Sequence, residues 1–265
     1  VNLGAARDPD LVERIGAATA LDVRASGMDW TFAPSIAVAQ DIRWGRTYEA
    51  YSECPQLCAD LGAALVRGLQ GLPNQSEFLG PEKIIATAKH FLGDGGTRNG
   101  TDQGETIATE AELRDVHARA YYSALEAGVQ TIMVSFSSWG GRKMHGHKPL
   151  LSDLLKAHLG FDGVIIGDWN GHGQIVGATP TNCPDALMAG LDIYMAPDSW
   201  KELHASLLRQ LNSGEISMER LDDAVRRVLR LKFRAGIFSA PKPSARPGAA
   251  MGRRLTLPNH AKLAA

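Results

Sequence analysis

The hydrophobic pattern of this 265-residue chain alternates between short apolar runs and longer segments in which apolar residues recur every three or four positions. Short runs bounded by glycine or proline are typical of buried strands, and the longer periodic segments are typical of amphipathic helices. Five runs predict strands, at residues 31–34, 84–88, 129–136, 164–166 and 191–197. Because predicted helices lie between these runs, we expect an α/β fold with parallel strands and crossover helices.

Local signals mark where several of the predicted helices begin. Asp8 precedes a proline, which is the pattern of an N-cap followed by proline at the first helical position. Thr109 with Glu112, and Ser199 with Glu202, match the capping box. A helix is therefore predicted to start just after each of these sites.

A (β/α)8 barrel has this alternation of strands and helices, and it needs eight strands. The five strong runs fall short of that number. Either weaker strands escape the pattern, or the chain holds part of a barrel. The predicted fold class is an α/β, TIM-barrel-like domain that is complete or incomplete.

Polar residues gather where the predicted strands end. Lys89 and His90 follow one strand, Ser137 and Trp139 follow another, and Asp168 follows a third. The carboxyl ends of parallel strands lie on one face of a barrel, so these side chains should be neighbours. Asp168 comes after three buried β-branched residues and is a candidate nucleophile or general base. The alternative is an aspartate that caps the next turn, and the stretch alone leaves both open.

Lys89 and His90 are expected to lie near this carboxylate in the fold. Lysine is almost never buried without a partner, and a strand end is a tight place for Lys89. A cation near Asp168 would favour its ionised form, which nucleophilic attack on an electrophilic carbon requires. His90 by itself is more often a structural histidine than a catalyst.

Three tryptophans, Trp44, Trp139 and Trp169, lie in loops near the predicted strand ends. Indole faces stack on the apolar faces of sugar rings, and charged side chains such as Arg46 bind hydroxyl groups through charge-assisted hydrogen bonds. For any single tryptophan, packing in the core is the better explanation. Three of them beside Arg46 and Lys89 favour a ligand with several hydroxyl groups.

Composition excludes several other classes of function. With 28 basic and 29 acidic residues, the chain shows no sign of binding nucleic acid or an anionic membrane surface. No apolar run reaches the roughly 18 residues of a membrane span. The three cysteines lack the spacing of a metal or redox site, so we expect free thiols. The glycine-rich segment 93–104 lacks the Gly-Lys-Ser/Thr of a phosphate loop. We therefore predict neither a metal nor a cofactor.

Four ordered motifs resemble glycoside hydrolase family 3, the exo-acting β-glucosidases and β-glucan glucohydrolases. They are Arg-Trp-Gly-Arg-Thr-Tyr-Glu at 43–49, Lys-His-Phe-Leu-Gly-Asp-Gly-Gly-Thr at 89–97, Met-Val-Ser-Phe-Ser-Ser-Trp at 133–139 and Gly-Asp-Trp-Asn-Gly at 167–171. The resemblance extends over most of the chain. It implies a (β/α)-barrel domain at 1–238 that lacks its first strand or strands.

The resemblance also implies roles for individual residues. Asp168 would attack the anomeric carbon of a terminal β-D-glucose in a retaining mechanism. Arg46, Lys89 and His90 would hold the hydroxyl groups of that glucose, and Trp169 would flank the sugar. Gly167 stands where the family usually has serine, a small replacement that we expect to be tolerated. The expected substrates are β-glucosides or β-glucan oligosaccharides.

Two features of the family pattern are not found in this sequence. One is a Gly-Ile-Asp-Ala-like segment whose aspartate binds the terminal sugar. The other is the acid/base glutamate, which family members carry on a second α/β domain. The proline- and alanine-rich residues 239–265 would be a linker towards that domain, so a missing segment or another chain would complete the site. Members acting on N-acetylglucosamine have an Asp-Ser/Thr-His loop, and the loop after His90 has no such histidine.

Two other functions stay open on the sequence. The chain could bind carbohydrate without turnover, or an open sheet edge could need to pair with another chain. The chain opens on Val1 without the basic and apolar regions of a signal peptide, and it has no initiator methionine. Localisation is therefore left open between the periplasm or exterior and the cytoplasm.

Overall fold

The computed structural model describes residues 1–249 of the chain. At its centre lies a parallel sheet in the order β1–β2–β5, formed by β1 Thr87–Phe91, β2 Thr131–Val134 and β5 Val164–Ile166. Thr131 of β2 lies opposite Thr87 on one side and Val164 on the other, so the three strands start level with one another. Their carboxyl ends therefore meet at one edge of the sheet.

Extended segments continue this sheet on both sides. Trp30 and Ser35 bridge in parallel to residues 85 and 89, and Ile193 bridges in parallel to Ile166. All five predicted strands are thus present as parallel segments in chain order, and among the described residues the outer two each pair on one side only. Helices connect successive segments, and the fold is TIM-barrel-like and incomplete over residues 1–249.

One predicted strand lies three residues further along the chain than expected. Regular pairing begins at Thr87 and runs to Phe91, whereas the hydrophobic run suggested residues 84–88. The reason is that the N–H of Ile84 donates to Leu69 at the end of a helix, so the chain joins β2 only after this point. Lys89 and His90 consequently lie within β1, not after it.

The α-helices of the described part are α1 Asn2–Ala6, α2 Pro9–Ala25, α3 Pro55–Gln70, α4 Glu110–Glu112, α5 Arg119–Glu126, α6 Pro184–Ala189, α7 Trp200–Ser213 and α8 Met218–Arg234. Asp8 caps α2 and Thr109 forms the predicted capping box with Glu112. The second box is wrong: Ser199 is the N-cap of α7, but its hydroxyl donates to Pro180 at 3.0 Å. None of the helices traced within residues 1–249 combines the length and apolar character needed to cross a bilayer.

Two π-helical segments, Leu113–His117 and Pro149–His158, and a short hairpin of β3 Ser138–Trp139 with β4 Arg142–Lys143 complete the regular structure of the described part. The core lies between the sheet and the helices. Close packing of α2 on α3 depends on Gly68, since a Cβ there would overlap the carbonyl of Glu13. Inside the core, the rings of Phe91 and Tyr121 meet edge to face at 5.0 Å.

The described part of the predicted linker packs back on the first long helix. Arg246 forms an ion pair with Asp29 at 3.0 Å, and Gly248 lies against Leu21 of α2. Residues 250–265 of the predicted linker lie outside the described part of the chain. The division into a domain at 1–238 and a linker at 239–265 stays a prediction.

Candidate active site

Asp168 lies just after β5, separated from it by Gly167, and the end of this strand sets the direction of the Asp168 side chain. Its carboxylate is mostly buried, with 13% of the side chain exposed. Oδ1 accepts the backbone N–H of Trp169 at 2.7 Å, while Oδ2 lies 3.6 Å from Nε2 of His90. The backbone N–H of Asp168 donates to Nε2 of His145 at 2.9 Å. One oxygen therefore binds the start of the next turn, and the other faces β1.

His90 lies between a carboxylate and a guanidinium. Its Nδ1 is 3.0 Å from Oδ2 of Asp94, and its Nε2 is 2.9 Å from an NH2 group of Arg46. A guanidinium can only donate, so Nε2 accepts from Arg46 and Nδ1 carries the proton donated to Asp94. This network assigns His90 as a neutral imidazole with a defined tautomer.

Arg46 is also tied to a second carboxylate. Its guanidinium donates to Glu49 through two hydrogen bonds of 2.8 and 3.1 Å. Burial disfavours both charges, but the hydrogen bond and attraction between them outweigh it. The pKa of Arg46 is therefore raised and the pKa of Glu49 is held below its usual range. Both groups are ionised at neutral pH.

Lys89 is the second cation of the site. Burial lowers the pKa of Lys89, and the attraction of Glu49, Asp168 and Asp94 opposes this shift. Two cations and three carboxylates thus surround the neutral ring of His90. Such a mixture of donors and acceptors can bind a ligand with many hydroxyl groups. Within residues 1–249, no group of three or more His, Cys, Asp or Glu side chains is arranged to hold a metal ion.

The three tryptophans have different environments. Trp169 lies in the turn after Asp168 and is 57% exposed. Trp44 is buried, and its indole N–H donates to Asp102 at 3.3 Å. The indole N–H of Trp139 donates to the carbonyl of Ala108 at 2.8 Å. The polyol interpretation is therefore wrong for Trp44, which packs in the core. It stays a prediction for the half-buried Trp139 and the exposed Trp169.

The structure brings Arg46, Lys89, His90 and Asp168 together, although they come from segments far apart in the sequence. These side chains carry the motifs that suggested a family. Over residues 1–231, the chain matches the family described as the glycosyl hydrolase family 3 N terminal domain.

The chain belongs to glycosyl hydrolase family 3.

Individual relatives agree with this membership. The crystal structure of an exo-1,3/1,4-β-glucanase from a Pseudoalteromonas species superposes with a TM-score of 0.96 and 48% identity, over 99% of this chain and 33% of that one. A β-xylosidase from Formosa agariphila is 33% identical over 88% of this chain and 34% of its own. A periplasmic β-glucosidase from Salmonella typhimurium is 28% identical over 88% and 30%. This family 3 chain thus spans about a third of the length of these relatives.

Three residues of the family 3 site were not singled out by the sequence patterns. Asp94 lies in the glycine-rich segment 93–104, and it is buried and orients His90. Glu49 pairs with Arg46, and His145 binds the backbone of Asp168. A signal existed for Asp94, which lies four residues after His90 in the same motif. Nothing local indicated His145.

Proposed function

We propose that this family 3 barrel domain belongs to a retaining, exo-acting β-glycoside hydrolase that releases terminal β-D-glucose from β-glucosides or β-glucan oligosaccharides. The observation that carries the proposal is the Oδ2 atom of Asp168, which faces His90 beside the two cations of the site. Relatives named as a β-glucosidase and an exo-1,3/1,4-β-glucanase support glucose as the sugar. The relative named β-xylosidase makes xylose the competing sugar.

In the proposed reaction, Oδ2 of Asp168 attacks the anomeric carbon. A bond forms between carbon and carboxylate oxygen as the bond to the leaving-group oxygen breaks, and an acid protonates that oxygen. Water then attacks the same carbon, loses a proton to the acid's conjugate base and releases glucose and the free carboxylate. Arg46 and Lys89 donate hydrogen bonds to the hydroxyl groups of the sugar, and Trp169 flanks it.

The acid/base group is proposed to come from a second α/β domain or from another chain. Retaining enzymes need two carboxyl groups roughly 5–5.5 Å apart. Glu49 is engaged by Arg46, and Glu105 accepts the N–H of Gly141 at 2.9 Å. Neither is therefore a good acid for the leaving group. Together with the partial coverage of the relatives, this supports a site that other residues complete.

An activated substrate tests the nucleophile without the missing acid. We expect the 265-residue chain to hydrolyse 2,4-dinitrophenyl β-D-glucoside slowly. The dinitrophenolate leaving group needs little protonation, so the reaction depends little on the missing acid. The chain should also gain the mass of one sugar from 2-deoxy-2-fluoro-β-D-glucosyl fluoride, with the label on the peptide that contains Asp168. Asp168→Ala should lose both reactions by about a thousandfold or more. Equal rates in this variant would remove Asp168 from the mechanism.

Carbohydrate binding without turnover is the second candidate function, and the engaged state of Glu49 and Glu105 favours it. In that case calorimetry would detect glucose or cellobiose binding that Lys89→Ala abolishes. Neither the aryl glucoside nor the fluorosugar would react. The same two experiments therefore separate the two functions.

We propose that the intact protein is periplasmic or secreted, with the cytoplasm as the alternative. The relative from Salmonella typhimurium, which is named periplasmic, supports this location. Fractionation of the source cells with an antibody against the barrel domain would test it. Detection in the cytoplasmic fraction alone would contradict it.

A further inference from the structure

We propose that His145 is a positioning residue that holds the main chain of Asp168 in register for nucleophilic attack. The inference rests on the proposed function, in which Asp168 is the nucleophile. His145 lies in the short turn Met144–Gly146, which belongs to the connection between β2 and β5. Its Nε2 accepts the backbone N–H of Asp168 at 2.9 Å.

The sheet explains why this backbone group needs such a partner. Successive N–H groups of a strand point to opposite sides. The N–H of Gly167 donates to Ile193 on one side, so the N–H of Asp168 points to the other side, towards β2. The regular pairing of β2 with β5 ends at Met133 and Ile166. The imidazole of His145 therefore takes the place of the next strand carbonyl.

The second ring nitrogen carries the proton of the imidazole. Because Nε2 accepts from the Asp168 N–H, the neutral ring holds its proton on Nδ1. The backbone of Ser135, just past the end of β2, opposes the effect of burial and raises the pKa of His145, as an acceptor near a ring N–H does. The ring therefore lies between the ends of two neighbouring strands.

The surroundings of the ring leave it little freedom. The side chain is 1% exposed, and the ring of Phe136 lies 6.0 Å away. A Cβ built on Gly171 would overlap the imidazole, and one built on Gly167 would touch it at 3.4 Å. The two glycines that flank the Asp168 turn therefore leave room for this ring.

The charge state of His145 suits the role of an acceptor. Burial lowers the pKa of His145 to about 3, and the neighbouring His172 and Lys143 add to the shift. The ring is neutral at any pH at which a glycosidase would work. Its Nε2 lone pair thus stays available to the Asp168 N–H.

A pair of substitutions separates positioning from packing. His145→Leu fills the site with an apolar side chain of similar size and removes the hydrogen-bond acceptor. His145→Gln instead places an amide oxygen near the position of Nε2. His147→Leu is the matched control, because His147 lies two residues away, is also buried, and packs on Trp139 without touching Asp168.

The readout is the rate of covalent labelling by 2-deoxy-2-fluoro-β-D-glucosyl fluoride, followed by intact mass. We expect His145→Leu to lower the first-order rate at saturating reagent by roughly tenfold to a hundredfold. The half-saturating concentration and the final labelled fraction should change little. His145→Gln should recover most of the rate, and His147→Leu should match the parent. A loss of labelled fraction at unchanged rate, or equal losses in the leucine and glutamine variants, would overturn the proposal.

A second measurement keeps the inference separate from the proposed function. In the parent chain, imidazole ¹⁵N shifts should report an Nδ1–H tautomer of His145 that does not titrate between about pH 5 and 8. Exchange of the Asp168 amide should be slow, and it should become faster in His145→Leu but not in His147→Leu. If the parent is not labelled but these signals are seen, the proposed function fails and the positioning role stands. An Nε2–H tautomer or an unaffected amide would overturn the role itself.

Discussion

The carboxylate of Asp168 is restrained on one side and open on the other. The N–H of Trp169 holds Oδ1, whereas Oδ2 has only the longer contact of 3.6 Å with Nε2 of His90 among the contacts seen in residues 1–249. The two interpretations of Asp168 are therefore compatible, since one oxygen caps the turn and the other is left facing His90. A nucleophile benefits from this arrangement, because the restrained oxygen orients the reactive one.

The two glycines around this carboxylate should respond differently to a side chain. Gly167→Ser places its Cβ at ordinary contact distance, 3.4 Å, from His145 and Leu191. It should therefore change the free energy of unfolding by less than about 1 kcal/mol. Gly171→Ala drives a methyl group into the His145 ring and should cost about 1–3 kcal/mol. Urea unfolding of the two variants tests this order, and equal losses would contradict it.

At the scale of elements, a buried ion cluster fixes β5 to its neighbours. The side chain of Asp192 is fully buried, and its Oδ1 accepts from Lys156 and Arg220 at 2.6 Å each. Its Oδ2 accepts the N–H of Ile165 at 2.9 Å. Because Lys156 lies in the π-helical segment Pro149–His158 and Arg220 in α8, one carboxylate joins two helical segments to β5, the strand that leads to Asp168.

Removing this carboxylate should destabilise the protein strongly. Asp192→Asn leaves two mostly buried cations with only the partly exposed Asp223 as a counter-charge, and breaking a buried ion pair typically costs about 3–5 kcal/mol. Asp222→Asn is the control, since Asp222 pairs with Arg226 on the surface at 3.3 Å and should cost less than about 1 kcal/mol. Urea unfolding at neutral pH compares the two variants. A loss for Asp192→Asn no larger than for the control would show that the cluster does not stabilise β5.

At the scale of the whole molecule, the five parallel segments differ in how firmly they are held. β2 pairs on both sides, with β1 and β5, along its length. Among the described residues, the outer segments near Trp30 and Ile193 each pair with one neighbouring strand, on one side only. Opening of the sheet should therefore begin at its two sides and leave β2 until last.

Hydrogen exchange followed by mass spectrometry can test this gradient. Amides of β2 should exchange slowest, and those of residues 30–35 and 191–197 should exchange at least about tenfold faster. Uniform protection across all five segments would indicate that the sheet opens as a single unit.

Contacts in the site could be predicted where the two residues are close in the sequence, and not where they are far apart. His90 and Asp94 are four residues apart within one motif, and their pairing could have been expected. Arg46 and His90 are separated by 44 positions, and His145 and Asp168 by 23. No periodicity or capping signal links such positions, because these contacts depend on how whole elements pack.

The sequence by itself determined the types of the elements, the parallel α/β class, the family and the place of Asp168 at a strand end. These properties follow from hydrophobic periodicity, local capping and short motifs, which act within a few residues. Only the tertiary structure decided the tautomer of His90, the burial of Trp44 and the acceptor that Asp168 finds in His145. Each of these depends on burial and hydrogen-bond geometry between segments that the fold, rather than the local sequence, brings into contact.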